Sequence, residues 1–292
     1  MSSVNGKVAL ITGGARGVGA ELARRLHEKG ARLVLTDVDE PALKDIAAEL
    51  SDDRVLTVVA DVRELDAMQK AAERAVERFG GIDIVVANAG ISTYGSVLNV
   101  DPEAFRLLVD INIIGVFNTV RAALPSVIDR RGYVLVVSSA AAFAASPGLV
   151  PYDTSKAGVE HFANALRLEV AHLGVDVGSA HMLWIDTPLV QEAKSDLPSF
   201  RKMLAALPGP LGKTTSVEAC GKAFVKGIEG RKRYIYCPDY VSLLRWFNPL
   251  LSTRFIEAGI SKPVPQLLPQ MDAEVRALGR SLSARTKQVG QK

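Results

Sequence analysis

The sequence predicts an α/β protein built on a doubly wound parallel sheet, and three observations predict it. Short apolar runs alternate with helical patterns along most of the chain. The first run passes directly into a glycine-rich turn that opens a helix. A tyrosine and a lysine, Tyr152 and Lys156, stand four residues apart at the start of a long amphipathic stretch. With 292 residues, 48% of them hydrophobic and 23% charged, the chain can bury a large core and has an ordinary globular composition.

The first strand is Val8 to Thr12, and it leads into Gly13-Gly14-Ala15-Arg16-Gly17-Val18-Gly19 and then a helix to Lys29. Glycines permit positive φ and close backbone approach, and the unpaired N–H groups at a helix start attract phosphate. The spacing G-x-x-x-G-x-G departs from the G-x-G-x-x-G of many dinucleotide folds, and the plain alternative is a flexible turn. A second strand, Arg32 to Thr36, ends in Asp37, 18 residues past Gly19. An acid there can accept hydrogen bonds from the adenosine ribose and repels a ribose phosphate, which favours NAD over NADP. Arg16 argues the other way, since a guanidinium beside the phosphates could accept NADP.

Val55 to Ala60 is the third strand, closing on Asp61-Val62, and Met68, Ala72, Ala75, Val76 and Phe79 follow at helical spacing. Ile82 to Ala87 is the fourth, ending in Asn88-Ala89-Gly90, and Ala104 to Leu124 reads as one long helix carrying Asn112 among apolar neighbours. Tyr133 to Val137 delivers Ser138 and Ser139 to the carboxyl edge, where open α/β sheets bind ligands. Val159, Phe162, Ala163, Leu166, Val170 and Leu173 form the stripe that fixes the helix bearing Tyr152 and Lys156. Asp176 to His181 and Tyr234 to Cys237 are the sixth and seventh strands, with a helix from Ser216 to Glu229 between them.

A free phenol, pKa about 10, is a poor base at neutral pH. A cation about 4 Å away at an effective dielectric of about 20 contributes roughly 4 kcal/mol, enough to bring it toward neutrality. Lys156 is placed to be that cation. By itself the pair is a common coincidence; its surroundings give it meaning.

Several classes are excluded by totals. A formal charge of +3 is too small to imply a nucleic-acid partner. Cys220 and Cys237 cannot build a multi-bridge framework, so free thiols in a reducing compartment are expected. His27, His161, His172 and His181 lack zinc spacing, and no metal is expected. No signal peptide and no run of about 18 apolar residues is found, so the expected location is cytoplasmic.

Taken together, the glycine turn from Thr12 to Gly19, Ala87-Asn88-Ala89-Gly90, Asn112, Ser139 and the Tyr152–Lys156 pair stand in the order and spacing of the short-chain dehydrogenase/reductase family, which the chain resembles over roughly residues 7–239. The resemblance implies a Rossmann-type, seven-stranded, three-layer α/β/α domain over residues 1–239, homodimeric or homotetrameric through its long helices. It implies Tyr152 as the general acid/base of hydride transfer between a nicotinamide cofactor and an alcohol or ketone. Ser139 would hold the substrate oxygen, Lys156 would lower the tyrosine pKa and grip the nicotinamide ribose, and Asn112 would position a water linking the lysine to solvent. Gly13, Arg16, Gly17, Val18 and Gly19 would cradle the pyrophosphate, Asp37 the adenosine ribose, Asp61 and Val62 the adenine, and Asn88 to Gly90 the ribose edge. Ile185 and Thr187 would contact the nicotinamide amide, Thr187 also capping a helix begun by Pro188. One departure stands out. Met182-Leu183 replaces the family's usual Pro-Gly, so a slightly altered pocket floor is expected.

From Trp184 to Pro210 prolines gather and periodicity fades, as in a mobile lid. Its apolar residues, Leu189, Leu197, Phe200, Met203, Leu204 and Leu207, suit either a lipophilic substrate or ordinary packing. Residues 240–292 form an extension: a dense apolar stretch including Val241, Leu243, Leu244, Trp246, Phe247, Leu250, Leu251, Phe255 and Ile256, then a proline-rich passage and a basic tail with Arg276, Arg280, Arg285, Lys287 and Lys292. Peripheral membrane contact through 241–260 is one reading. A helix docked on the core or a neighbouring subunit, with a solvated tail, is the preferred one.

Overall fold

The structure, a computed structural model, describes residues 3–50, 53–251 and 253–290. Its centre is a seven-stranded parallel sheet of β1 (Val8–Thr12), β2 (Arg32–Asp37), β3 (Val55–Val59), β4 (Ile84–Ala87), β5 (Tyr133–Val137), β6 (Asp176–Met182) and β7 (Tyr234–Cys237), in the order β3-β2-β1-β4-β5-β6-β7. β1, β4 and β5 are buried throughout. Continuous apolar strands of this kind are what a parallel sheet covered on both faces demands. The strand order reverses between β1 and β4, which opens a crevice at their carboxyl ends.

One apolar layer joins the sheet to α3 (Leu65–Phe79), α4 (Pro102–Val109), α5 (Gly115–Asp129) and α6 (Val150–Val170), with Met68, Leu108, Val120 and Val159 buried in it. The opposite layer holds α1 (Gly17–Glu28), α2 (Glu40–Leu50) and α9 (Val217–Glu229), through Leu22, Leu43 and Phe224. The three-layer expectation holds. α2 was not singled out in the sequence; it buries Ala42, Leu43 and Ile46 in the core, with Leu50 half-buried beside them.

The helix expected from Ala104 to Leu124 is interrupted. Between α4 and α5, Asp110–Ile114 form a π-turn in which the Gly115 N–H donates to the Asp110 carbonyl, five residues back. The inserted residue turns Asn112 inward, and such bulges gather at functional sites. By length and composition the continuous helix Pro102–Asp129 could cross a bilayer, but half of its most apolar window is buried inside the fold.

The region expected as an irregular lid is mostly helical. Pro188 and Pro198 each occupy the first turn of a short helix, α7 (Pro188–Asp196) and α8 (Pro198–Ala206). Proline at that position forfeits only an N–H with no helical partner, so it starts a helix instead of breaking one.

The extension contains α10 (Val241–Trp246), α11 (Asn248–Leu251), α12 (Arg254–Ser261), α13 (Val264–Leu278) and α14 (Ala284–Gly290). α10 is fastened to the core: Val241 is buried, and the Arg245 guanidinium meets Glu160 at 2.9 Å and lies 4.1 Å from the Tyr234 ring centre. Leu243, Trp246 and Phe247 are exposed; the side chains of Leu250, Leu251, Phe255 and Ile256 lie outside the described residues. The solvated tail expected after Asp272 is instead docked. Asp272 is buried and accepts from the Ser96 N–H (2.8 Å), the Ser96 hydroxyl (2.7 Å) and Asn99 (2.9 Å). Arg276 donates to Asn99, Arg280 pairs with Asp196 and Arg285 with Glu192, while Lys292 lies outside the described residues. A third apolar cluster joins α13 to the lid helices through Met271, Val275, Leu197, Phe200 and Leu204, and Tyr152 packs against it.

Candidate active site

The crevice at the strand reversal opens into one cavity of about 1450 Å³. At one end lie the glycine turn, Asp37, Asp61 and Val62; in the middle Asn88, Gly90, Ser139, Tyr152 and Lys156; at the other end apolar residues of α8 and the extension. Ile185 and Thr187 also line it. Asn112 and Gly19 stand just behind the wall, touching residues that form it.

The glycine turn is shaped by contacts that allow no side chain. Gly13 has φ +62°, and a Cβ on Gly19 would sit 2.1 Å from the Gly13 carbonyl oxygen. The N-cap residue of α1, Arg16, makes no side-chain cap bond. This leaves helix-start N–H groups facing the crevice beside Gly17 and Val18, as a bound diphosphate requires. Asn88 braces the turn from β4, donating from Nδ2 to the carbonyls of Thr12 (3.0 Å) and Gly13 (3.1 Å). Its amide is thus spent on the protein, and only its position on the cavity wall matches the expected ribose contact. The residues fit a dinucleotide.

On the adenosine side, Asp37 accepts from the Ala15 N–H at 3.3 Å and the Asp39 N–H at 3.1 Å. Burial raises its pKa. Arg16 is engaged by Asp39 through two hydrogen bonds of 2.7 and 3.2 Å. Asp61 is paired with Arg63 at 2.6 Å.

At the catalytic end, β5 and α6 bring the expected set together. Ser138 donates to the Lys156 carbonyl at 2.9 Å, tying the helix to the strand end. Lys156 is buried and donates from Nζ to the Val137 carbonyl at 2.9 Å, with Nζ 5.6 Å from the Tyr152 ring centre. Asn112 is locked: its Oδ1 accepts from the Ile91 N–H (2.8 Å), and its Nδ2 donates to the Ile91 carbonyl (3.0 Å) and to Ser155 Oγ (3.0 Å). Ser155 donates in turn to the Tyr152 carbonyl. Ser139 donates weakly to the Met182 carbonyl at 3.3 Å.

The expected lowering of the Tyr152 pKa by Lys156 is not realised in the protein alone. Burial pushes the phenol up to about 12, against a smaller downward pull from the Ser139 hydroxyl, and the Asp153 carboxylate adds to the rise. Burial also brings Lys156 down to about 8. Desolvation outweighs the Coulomb attraction counted from sequence spacing.

The pocket floor at Met182-Leu183 takes a definite path. The Leu183 N–H donates to the Cys237 carbonyl at 3.0 Å, and the turn falls on Trp184, whose φ is +43°. A left-handed tryptophan is strained. Its ring lies edge-on to Phe200, and its Nε1 is buried without a hydrogen-bond partner among the described residues. Thr187 occupies the N-cap of α7 but makes no cap bond; its hydroxyl donates to the Ile185 carbonyl at 3.3 Å. In the first turn of α7, Pro188 has no N–H and the Val190 N–H donates to the Thr187 carbonyl at 3.0 Å.

Sequence reasoning gave no role to Thr12, Ser138 and Ser155, whose small hydroxyls are common turn residues, or to Asp153. That carboxylate accepts from the Ser146 N–H at 2.7 Å and is raised by burial to about 7.

Residues 7–198 match the family described as short chain dehydrogenase. Among curated relatives, Oxidoreductase UcpA of Escherichia coli K12 is 36% identical over 195 residues, 65% of this chain and 74% of that protein. An NAD-dependent oxidoreductase of Mycobacterium tuberculosis is 32% identical over 217 residues, 68% of this chain and 78% of its own. Among solved structures, the 3-ketoacyl-(acyl-carrier-protein) reductase of Brucella melitensis complexed with NADH superposes with a TM-score of 0.71 at 28% identity, over 80% of this chain and 96% of that one. A short chain dehydrogenase/reductase of Burkholderia phymatum in complex with NAD has the same fold, with a TM-score of 0.74 at 23% identity, over 87% and 98%. With the glycine turn, the strand reversal and the Ser139–Tyr152–Lys156 wall in one crevice, the chain belongs to the short-chain dehydrogenase/reductase family of oxidoreductases.

Proposed function

We propose that this protein interconverts a lipophilic secondary alcohol and its ketone with NAD as the preferred cofactor. The observation that carries the proposal is the single cavity. Tyr152 belongs both to the wall facing the dinucleotide end and to the apolar cluster of Phe200, Leu204, Met271 and Val275. A carbonyl carbon beside Tyr152 would therefore have its charged partner on one side and its hydrocarbon on the other.

NAD, when bound, supplies the hydride acceptor and a fixed positive charge. In oxidation Tyr152 removes the hydroxyl proton, and in reduction it returns one to the developing alkoxide. Ser139 hydrogen-bonds the same oxygen and steadies its charge. A phenol near pKa 12 is too weak a base at neutral pH. Added positive charge at the nicotinamide end brings it down. Lys156, protonated below about pH 8, supplies the rest once its ammonium turns from the Val137 carbonyl toward the ribose and phenol. Asn112, held at both ends, fixes the backbone beside which a relay water would sit.

Preference for NAD is supported by Asp37 and by the capture of Arg16. The guanidinium that could welcome a ribose phosphate is bound to Asp39, leaving the Asp37 carboxylate on the adenosine side. Assembly through the long helices is proposed with it, since Ile114 of the π-turn, Phe117 on α5 and Leu168 on α6 are exposed apolar side chains. Sedimentation giving a monomer at micromolar concentration would contradict that part.

Two substitutions test the core of the reading. Tyr152→Phe is expected to keep NADH affinity, read by fluorescence, and to lose at least about 100-fold in turnover on apolar secondary alcohols; substantial residual oxidation would assign the proton to another group. Asp37→Ala is expected to weaken NAD binding and strengthen NADP binding, each by about tenfold. Unchanged selectivity would remove Asp37 from the cofactor site.

A further inference from the structure

The extension does more than close the apolar end of the cavity. After α13 the chain turns back and runs along α7, making two arginine–carboxylate contacts four residues apart on that helix. Arg280 reaches Asp196 with two hydrogen bonds of 2.7 and 2.8 Å, and Arg285 reaches Glu192 at 3.2 Å. The strap thus advances from the C-terminal end of α7 toward its N-terminal end. That end, Thr187 and Pro188, faces the glycine turn: a Cβ on Gly17 would lie 3.5 Å from Thr187 Cγ2. Arg285 and Thr286 accordingly line the same cavity as Gly13, Gly17 and Asp39.

The two contacts are unequal. The Arg280–Asp196 pair is largely buried, with side chains 16% and 18% exposed, and Tyr94 donates to the same carboxylate at 2.7 Å. It is an anchor. Arg285 and Glu192 are 36% and 31% exposed, and the second Glu192 oxygen is buried without a hydrogen-bond partner among the described residues. A single contact in partial solvent is cheaply exchanged. Among the described residues lining the cavity the cations are Arg16, Lys156 and Arg285. Arg16 is held by Asp39 through two hydrogen bonds of 2.7 and 3.2 Å and Lys156 stands at the catalytic end, so Arg285, with one contact of 3.2 Å, is the least firmly held.

We propose that Arg285 is a cofactor-binding residue: its guanidinium leaves or shares Glu192 to grip the diphosphate of the bound dinucleotide, so that the C-terminal strap closes over the cofactor. The inference rests on the reading of this crevice as a dinucleotide site. A guanidinium suits the task because it presents two parallel N–H donors to phosphate oxygens. The field of the strap supports it, since Arg285 helps Arg16 offset the effect of burial on Asp39, whose carboxyl is held below its ordinary value. The diphosphate would then lie between the N-terminal ends of α1 and α7, with Arg285 across the open side.

The test is equilibrium binding to the full chain, with no turnover required. NADH is titrated by fluorescence, and ADP-ribose and adenosine are measured as competitors, for wild type, Arg285→Gln, Arg285→Lys and Glu192→Gln. Arg285→Gln is expected to weaken NADH and ADP-ribose about tenfold, as for loss of a charge-assisted hydrogen bond. Adenosine, which has no phosphate, is expected to bind as before, and Arg285→Lys to recover part of the loss. Glu192→Gln removes the competing carboxylate and is expected to leave NADH binding equal or tighter. NADH affinity of Arg285→Gln within twofold of wild type overturns the proposal, as does an equal loss for adenosine, or a Glu192→Gln variant as weak as Arg285→Gln. Wild type binding neither NADH nor NADPH would instead overturn the dinucleotide reading, so the two failures are separable.

Discussion

Asp153 bears electrostatically on the Tyr152 phenol. Its carboxyl is raised by burial to about 7, and its charge raises the neighbouring phenol. Removing that charge favours the phenolate, so Asp153→Asn is expected to move the alkaline rise of alcohol oxidation to lower pH by several tenths of a pH unit. A pH–rate profile that stays in place, or moves upward, would exclude the coupling. Stability changes with the opposite emphasis. A carboxyl whose folded pKa lies above its unfolded value of 3.8 contributes stability that is fully present below about pH 4 and lost as pH rises through about 7. Wild type should therefore gain in Tm relative to Asp153→Asn between pH 8 and pH 5. At this scale the sequence made the candidate site legible because Tyr152 and Lys156 share one turn of helix and line one cavity. Their electrostatics was not legible, because burial is a property of Leu149, Met271 and their neighbours, which come from distant parts of the chain.

Elements were readable where one local rule decides them. β1, β4 and β5 are apolar runs because both faces of the sheet are covered, and α6 carries its stripe. Two kinds of element escaped. The π-turn at Asp110–Ile114 has the composition of the helix around it, so no periodicity betrays it. α7, α8 and α13 contain prolines that suggest loops but stand mostly in first turns. α13 is fixed by a contact 176 residues away in sequence, Asp272 with Ser96. Asp272→Asn puts an amide N–H₂ where two donors from Ser96 and one from Asn99 converge, a loss of about 1–3 kcal/mol. The effect is local. Hydrogen exchange should accelerate about fivefold or more in α13 and in residues 94–101 while β1 and β5 keep their protection. Uniform acceleration across the sheet would mean that the extension is part of the global folding unit.

For the whole molecule, one cavity shared by the sheet edge, the lid helices and the extension makes substrate size a consequence of architecture. In the proposed reading Ser139 and Tyr152 hold the polar end, so a longer substrate would grow toward Phe200, Met203, Leu267 and Met271. Each methylene buried there contributes about 0.8 kcal/mol, and 1.36 kcal/mol corresponds to tenfold. A series of methyl carbinols and methyl ketones of increasing chain length should therefore gain about fourfold in kcat/KM per carbon, chiefly through KM. The gain arises because the tail is bound equally in ground and transition states. It should cease when the chain meets the roof made by Leu267, Leu268 and Met271, and Met271→Ala should move that limit outward by a carbon or more. A flat series would separate the apolar cluster from the substrate site and leave it as packing for α13. A series rising without limit would mean that the cavity mouth beside Leu244 and Val264 stays open, with the extension acting as a funnel and not as a roof.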